Sequence, residues 1–270
     1  MALLEANFVS KSLFRTVTFT AILPVDKFFS QESGAGQAPF KTLYLLHGLL
    51  GNHTDWVTGT RIQRWAEERN LAVIMPSGEN AFYVDEPESG KLYGEFIGRE
   101  LVDITRRMFP LSRRRENTFI GGLSMGGYGA IRNGLKYSDT FSRIIGLSSA
   151  VHLLESRPEE TKTIAFEASC FKPFEEAVKS DKNPRVLIDN IVSSGAEKPK
   201  IFMACGTEDS LIGANRVYRD LFIDKGFDVT YMEEPGRHDW DFWDRHILRA
   251  LDWLPLDAAK GGVNSGNVEA

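Results

Sequence analysis

From residue 41 to residue 254, short apolar runs alternate with stretches of helical spacing. The runs at 42–47, 71–76, 118–123, 143–148, 200–206 and 229–233 predict strands, and runs this continuous fit a parallel sheet covered on both faces. Between them, 61–69, 94–109, 126–137, 212–225 and 239–254 predict helices. Within 94–109, Phe96, Leu101, Ile104 and Met108 recur at intervals of three to five residues and predict one apolar face. Strand, helix, strand repeated in this way predicts an α/β fold: an open, mostly parallel central sheet flanked by helices in one domain.

Three segments stand outside that rhythm. Residues 15–23 alternate polar with β-branched or apolar side chains and end at Pro24, which predicts a half-exposed strand at a sheet edge. Residues 30–39 are polar with Gly and Pro and read as a hairpin loop. Residues 150–199 hold Phe166, Phe171 and Phe174 but no strand pattern, and an insertion of that length predicts a small helical cap over the carboxyl edge of the sheet. The domain is expected to end at residue 257, with a disordered tail at 258–270.

Composition narrows the function classes. A chain of 270 residues buries a core without covalent staples. A net charge of −5 offers no general attraction for nucleic acid or anionic membranes. Two cysteines, Cys170 and Cys205, make neither a disulfide framework nor a zinc site. Cys205 falls in a strand and reads as a small buried hydrophobe. Glu5 interrupts the start where a signal peptide needs an apolar stretch, and the densest apolar run, 43–50, is cut by His47-Gly48. A cytoplasmic location is expected, without membrane partners. No His or Cys pair has ligand spacing and no phosphate-cradling loop is present, so no metal or cofactor is expected. The basic cluster Arg106, Arg107, Arg113, Arg114 and Arg115 reads as a solvated helix end.

Gly122-Leu123-Ser124-Met125-Gly126 matches the G-x-S-x-G nucleophile elbow. Such a pattern arises by chance at roughly 0.1 to 0.2 places in a chain of this composition, and its bland reading is a glycine turn. Here an apolar run leads in and a helical segment comes after, the setting the elbow needs. A serine hydroxyl requires a base, and of the five histidines His47 and His53 precede it, His152 starts the expected cap and His246 lies inside a helix. His238, in a short loop after the last strand, is placed to reach back over the sheet. The acid comes after the strand at 200–206, where Gly206 and Thr207 let Asp209 turn inward and leave Glu208 outward. The oxyanion needs two N–H donors, assigned to Met125 and to Leu49 in the loop 47–52, where Gly48 lets the backbone face a ligand. Trp56, Tyr83, Phe82 and Trp240 fall after strand ends and are candidate pocket walls, although core packing explains each equally well.

These motifs resemble the α/β-hydrolase superfamily, specifically the esterase D and S-formylglutathione hydrolase group, and most nearly its tributyrin-esterase-like branch. The resemblance spans about residues 8–256. It is carried by His47 to Asn52 with Trp56, Gly121 to Ala130, Cys205 to Asp209, and Gly236 to Trp240 with Trp243. It implies a serine carboxylesterase for small short-chain acyl esters, with the triad on Ser124, Asp209 and His238 and an acyl-enzyme intermediate. The expected cap leaves little room for a lipase lid, so acetyl to butyryl chains are expected over long ones. Thioester hydrolysis or acyl transfer is the alternative. S-formylglutathione hydrolases usually carry a cysteine in the oxyanion loop, and this loop has none. A non-catalytic binding relative keeping the elbow as architecture is a third reading. Relatives often self-associate, so a homo-oligomer stays open.

Overall fold

In the computed structural model, which describes residues 1–26, 39–155 and 169–256, the apolar runs become the strands of one eight-stranded sheet. In chain order the strands are β1 (Ala2–Ser10), β2 (Arg15–Leu23), β3 (Lys41–Leu46) and β4 (Leu71–Pro76). Then come β5 (Asp85–Glu86) and β6 (Lys91–Leu92), which pair only with each other, followed by β7 (Thr118–Leu123), β8 (Arg143–Leu147), β9 (Lys200–Gly206) and β10 (Val229–Glu234). The spatial order is β1-β2-β4-β3-β7-β8-β9-β10. The β1/β2 and β2/β4 pairs are antiparallel and all the others in the sheet are parallel. The parallel strands therefore deliver their carboxyl ends to one rim, where ligands bind in sheets of this kind.

Alternating side chains pack the two faces. Leu43, Leu45, Val73, Phe119, Ile145 and Phe202 join a core with the helices Ile62–Glu68 and Trp240–Trp253. Tyr44, Leu46, Ile74, Ile120, Ile144 and Met203 join another with Leu101–Met108, Met125–Lys136, Pro184–Ser194 and Ile212–Asp224. Each fully buried large apolar side chain of this kind contributes about 1.5–3 kcal/mol.

Three expectations are corrected. The strand at 15–23 is not at the edge, because β1 pairs along its whole length. β1 escapes the sequence pattern because Leu3, Leu4 and Val9 are exposed on a rim strand with little to bury. The connection from β2 to β3 is no hairpin: β4 lies between those strands, and residues 27–38 themselves lie outside the described residues. The helix over 94–109 does not present one regular face either. A π-helical turn at Phe96–Glu100 inserts an extra residue and rotates the next turns about the helix axis, so that Leu101, Val102 and Thr105 are buried while Met108 is exposed.

In the region where a cap is expected, residues 156–168 with Phe166 lie outside the described residues, as does the tail at 257–270. The helix Pro184–Ser194 is packed on a sheet face beside Met125–Lys136, with Leu187, Ile188 and Ile191 in the core. Asn183 caps it by accepting a hydrogen bond from Arg185 N–H at 3.0 Å, Pro184 occupies its first turn, and Gly195 ends it at φ 68°. Among the described residues no helix is long and apolar enough to cross a membrane.

Candidate active site

β7 ends at Leu123 and the helix Met125–Lys136 begins two residues later, so the chain reverses at Ser124 alone. Ser124 accordingly has φ 53° and ψ −117°, a strained backbone for a residue with a side chain. Its backbone is pinned on both sides: Ser124 N–H donates to Leu147 O at 2.9 Å, and Ser124 O accepts from Tyr128 and Ala150 N–H groups, each at 3.0 Å. The flanking glycines are a packing requirement. A Cβ on Gly122 would stand 2.3 Å from Gly126 O, and one on Gly126 would stand 2.4 Å from Leu46 O and 2.5 Å from His47 O.

Two loops from the far end of the chain meet this serine. The turn after β9 carries Asp209, and the loop after β10 carries His238. They approach so closely that a Cβ on Gly206 would lie 2.1 Å from Gly236 O. His238 Nε2 lies 2.9 Å from Ser124 Oγ, and His238 Nδ1 lies 2.8 Å from Asp209 Oδ2. With Nδ1–H donating to the carboxylate, Nε2 is free to accept the serine proton. The Asp209 side chain is wholly buried, and burial alone pushes a carboxyl pKa up. Hydrogen bonds from His238 and from Leu211 N–H, the latter at 2.9 Å, outweigh this and hold it below the ordinary value. Glu208 faces outward to Arg237 at 3.2 Å. Asp239 caps the helix Trp240–Trp253, accepting from Phe242 N–H at 3.0 Å, and so sets where His238 leaves the helix axis.

The loop after β3 crosses the same rim. His47 is buried; its Nε2 accepts from Gly78 N–H at 2.8 Å, which leaves Nδ1–H to donate to Gly48 O at 2.6 Å. Burial also lowers its pKa, so the ring stays neutral. Leu50 N–H is engaged by Asn80 Oδ1 at 2.8 Å and Gly51 N–H by Gly48 O at 3.3 Å, which removes both from the candidate oxyanion donors. Gly48 lies against the nucleophile strand, where a Cβ would meet Leu123 Cδ1 at 2.7 Å.

Ser124 and His238 open into a cavity of about 840 Å³ whose walls include Gly48, Leu49, Met125, Phe82, Leu211, Trp240 and Trp243. Two expected wall residues stand behind it instead. Trp56 is buried, donates Nε1–H to Leu46 O at 2.9 Å, and meets Trp240 edge-on at 5.6 Å. Tyr83 is buried and donates its hydroxyl to His47 O at 3.0 Å, supporting the loop from below. Leu211 and Asn80 carry no signal in the linear pattern, because each reaches the site through backbone contacts that no motif marks. Among the described residues no group of three or more His, Cys, Asp or Glu is placed to hold a metal ion.

Comparison with known proteins identifies similar chains. A family model for esterases ("Putative esterase") matches residues 10–254. The chain is 43% identical over 261 residues to an acetyl esterase of Caldicellulosiruptor saccharolyticus, covering 94% of this chain and 98% of that one. Among solved structures it is similar to an S-formylglutathione hydrolase (FrmB) of Staphylococcus aureus, with a TM-score of 0.80 and 31% identity over 94% of this chain and 98% of that one. It is likewise similar to FphF, a fluorophosphonate-binding serine hydrolase of the same organism, with a TM-score of 0.77 and 32% identity over the same shares.

Proposed function

Because the chain belongs to the esterase family, and is a serine carboxylester hydrolase of the α/β-hydrolase fold, we propose that Ser124, His238 and Asp209 are its catalytic triad and that it hydrolyses short-chain acyl esters, acetyl to butyryl. The observation that carries this reading is the unbroken chain of contacts, 2.9 Å from Ser124 Oγ to His238 Nε2 and 2.8 Å from His238 Nδ1 to Asp209 Oδ2.

In this reading His238 Nε2 takes the Ser124 proton as Oγ attacks the ester carbonyl. The N–H groups of Leu49 and Met125 hold the resulting oxyanion. Asp209, kept ionised, holds the Nδ1–H tautomer and stabilises the imidazolium. The proton passes from His238 to the departing alcohol, and water then repeats the sequence on the acyl-enzyme. The relative that shares 43% of its residues bears the name acetyl esterase, which favours a small acyl group. A thioester reading has support in the likeness to the S-formylglutathione hydrolase of S. aureus, and the same triad would serve it.

The test is a panel of p-nitrophenyl esters from acetyl to palmitoyl beside a formyl thioester, run on the parent and on Ser124→Ala. The parent is expected to prefer acetyl to butyryl chains, and the variant to lose roughly 10⁶ in turnover while keeping its fold. Near-normal hydrolysis by Ser124→Ala would overturn the triad; equal rates on acetyl and palmitoyl esters would overturn the chain-length preference; faster thioester cleavage would move the substrate class. Stoichiometric labelling of the parent by a fluorophosphonate, absent in Ser124→Ala, separates an enzyme from a non-catalytic relative.

A further inference from the structure

Asn215, wholly buried in the first turn of the helix Ile212–Asp224, uses both ends of its side-chain amide. Its Oδ1 accepts from Ser149 N–H at 3.1 Å, and its Nδ2 donates to Ser149 O at 3.0 Å and to Leu211 O at 2.9 Å. Ser149 comes just after β8 and precedes Ala150, whose N–H donates to Ser124 O at 3.0 Å. Leu211 N–H donates to Asp209 Oδ1 at 2.9 Å, and the other carboxylate oxygen, Oδ2, meets His238 Nδ1 at 2.8 Å. One amide thus ties the turn that carries the acid to the strand exit beside the nucleophile.

These partners leave the amide one orientation. Its oxygen only accepts and its NH₂ offers two donors, which here match one N–H and two carbonyls. Aspartate would set a second carboxylate against those carbonyl oxygens, and leucine would offer neither donor nor acceptor. The Leu211 carbonyl takes the Nδ2–H bond beside the ordinary helical bond from Asn215 N–H at 3.0 Å. Leu211 is therefore held at its oxygen by residue 215 and at its nitrogen by the acid. The rest of the acid turn is fixed toward the histidine loop, by Thr207 N–H to Glu234 O at 2.9 Å and Glu208 N–H to Gly236 O at 3.0 Å. Asn215 supplies the bond in the other direction, toward the nucleophile. We propose, on the triad reading above, that Asn215 is a positioning residue for Asp209: by bridging Leu211 to Ser149 it fixes how far the acid turn stands from the nucleophile turn and keeps the carboxylate in line with the His238 ring.

The test uses Asn215→Leu, close in shape but without polar atoms, and Asn215→Ala, which leaves the neighbours room to relax, each alone and combined with Asp209→Ala. Hydrolysis of a short p-nitrophenyl ester is measured, and active sites are counted by fluorophosphonate labelling carried to completion, so that loss of folded protein does not enter kcat. Both single variants are expected to lower kcat per labelled site about tenfold with KM changed less than about twofold. With Asp209→Ala there is no carboxylate to position, so adding either substitution is expected to change kcat less than about twofold. An unchanged kcat per labelled site in both single variants, with fewer sites labelled, would make Asn215 a support of the fold alone. An equal drop with and without Asp209 would place its effect on the nucleophile turn. Either outcome overturns the proposal. Failure of the triad reading looks different, because Asp209→Ala would then keep the kcat of the parent.

Discussion

At Ser124 and Ser148, and at Leu50 in the loop after β3, non-glycine residues hold positive φ values of 53°, 45° and 64°. Such positions cost about 1–3 kcal/mol each and persist only where the surroundings fix them. All three stand at the rim where the strands end, beside the proposed chemistry. The glycines of the elbow leave no slack, so Gly126→Ala is expected to destabilise the protein by about 1–3 kcal/mol, read as a lower urea midpoint, and to abolish ester hydrolysis. Cys205 behaves oppositely. Burial and the neighbouring Asp209 carboxylate push its thiol up to about 12, so iodoacetamide at pH 8 is expected to spare it in the folded protein and to label it after unfolding. At this scale the sequence discloses what is local. The elbow at Ser124 is legible because glycine spacing and the adjoining run lie side by side, and Asp209 and His238 are legible from chain order. The places of Trp56 and Tyr83 are not, because an aromatic identity does not say which side of a loop it faces.

At the scale of elements, the buried strands are legible because their apolar runs are continuous. β1 is not, since its exposed positions erase the alternation. The helix Pro184–Ser194 is hidden inside a segment that reads as one insertion, although Asn183, Pro184 and Gly195 are ordinary start and stop signals. The nucleophile helix depends on a charged anchor that no pattern reveals. Arg132, wholly buried on Met125–Lys136, pairs with Asp181 at 2.8 Å through Nη2 and donates Nε–H to Asp181 O at 3.0 Å. Lys136, one turn on, reaches the same carboxylate at 2.8 Å and Asp85 at 3.1 Å. Arg132→Leu removes the donor to the Asp181 carbonyl and one of the two cations on a carboxylate that Lys136 still holds, so it is expected to cost about 1–3 kcal/mol in a denaturant titration. Arg132→Lys is expected to recover only part of that, since an ammonium lacks the second directed donor.

For the whole molecule, several carboxylates act in the same direction. Burial raises the pKa values of Asp181, Asp209 and Glu100, but stronger opposing contacts hold all three below their ordinary values. For Asp181 these contacts are Arg132 and Lys136; for Asp209, His238 and an amide; for Glu100, the Ser10 hydroxyl at 2.6 Å and the Lys11 and Ser12 amides. Each group therefore binds a proton less readily folded than unfolded. Their contribution is fully present above the ordinary carboxylate range near ~4 and is lost as pH falls through the depressed values. The urea midpoint is expected to hold level above about pH 5 and to fall steadily below about pH 4. Glu100→Gln is expected to flatten part of that fall; an unchanged slope in that variant would show that the contact between the first hairpin and residue 100 carries no such linkage.

The hydroxyl of residue 124 and the imidazole-bearing loop at 238 are separated by 114 positions in the chain, and the second loop comes after the outermost strand, β10. A ribosome making this polypeptide would thus carry a nearly finished product with no hydrolytic power, and activity would appear only when the last strand and helix had emerged and docked. Time-resolved hydrolysis during cell-free translation would report the completion of folding without any added label.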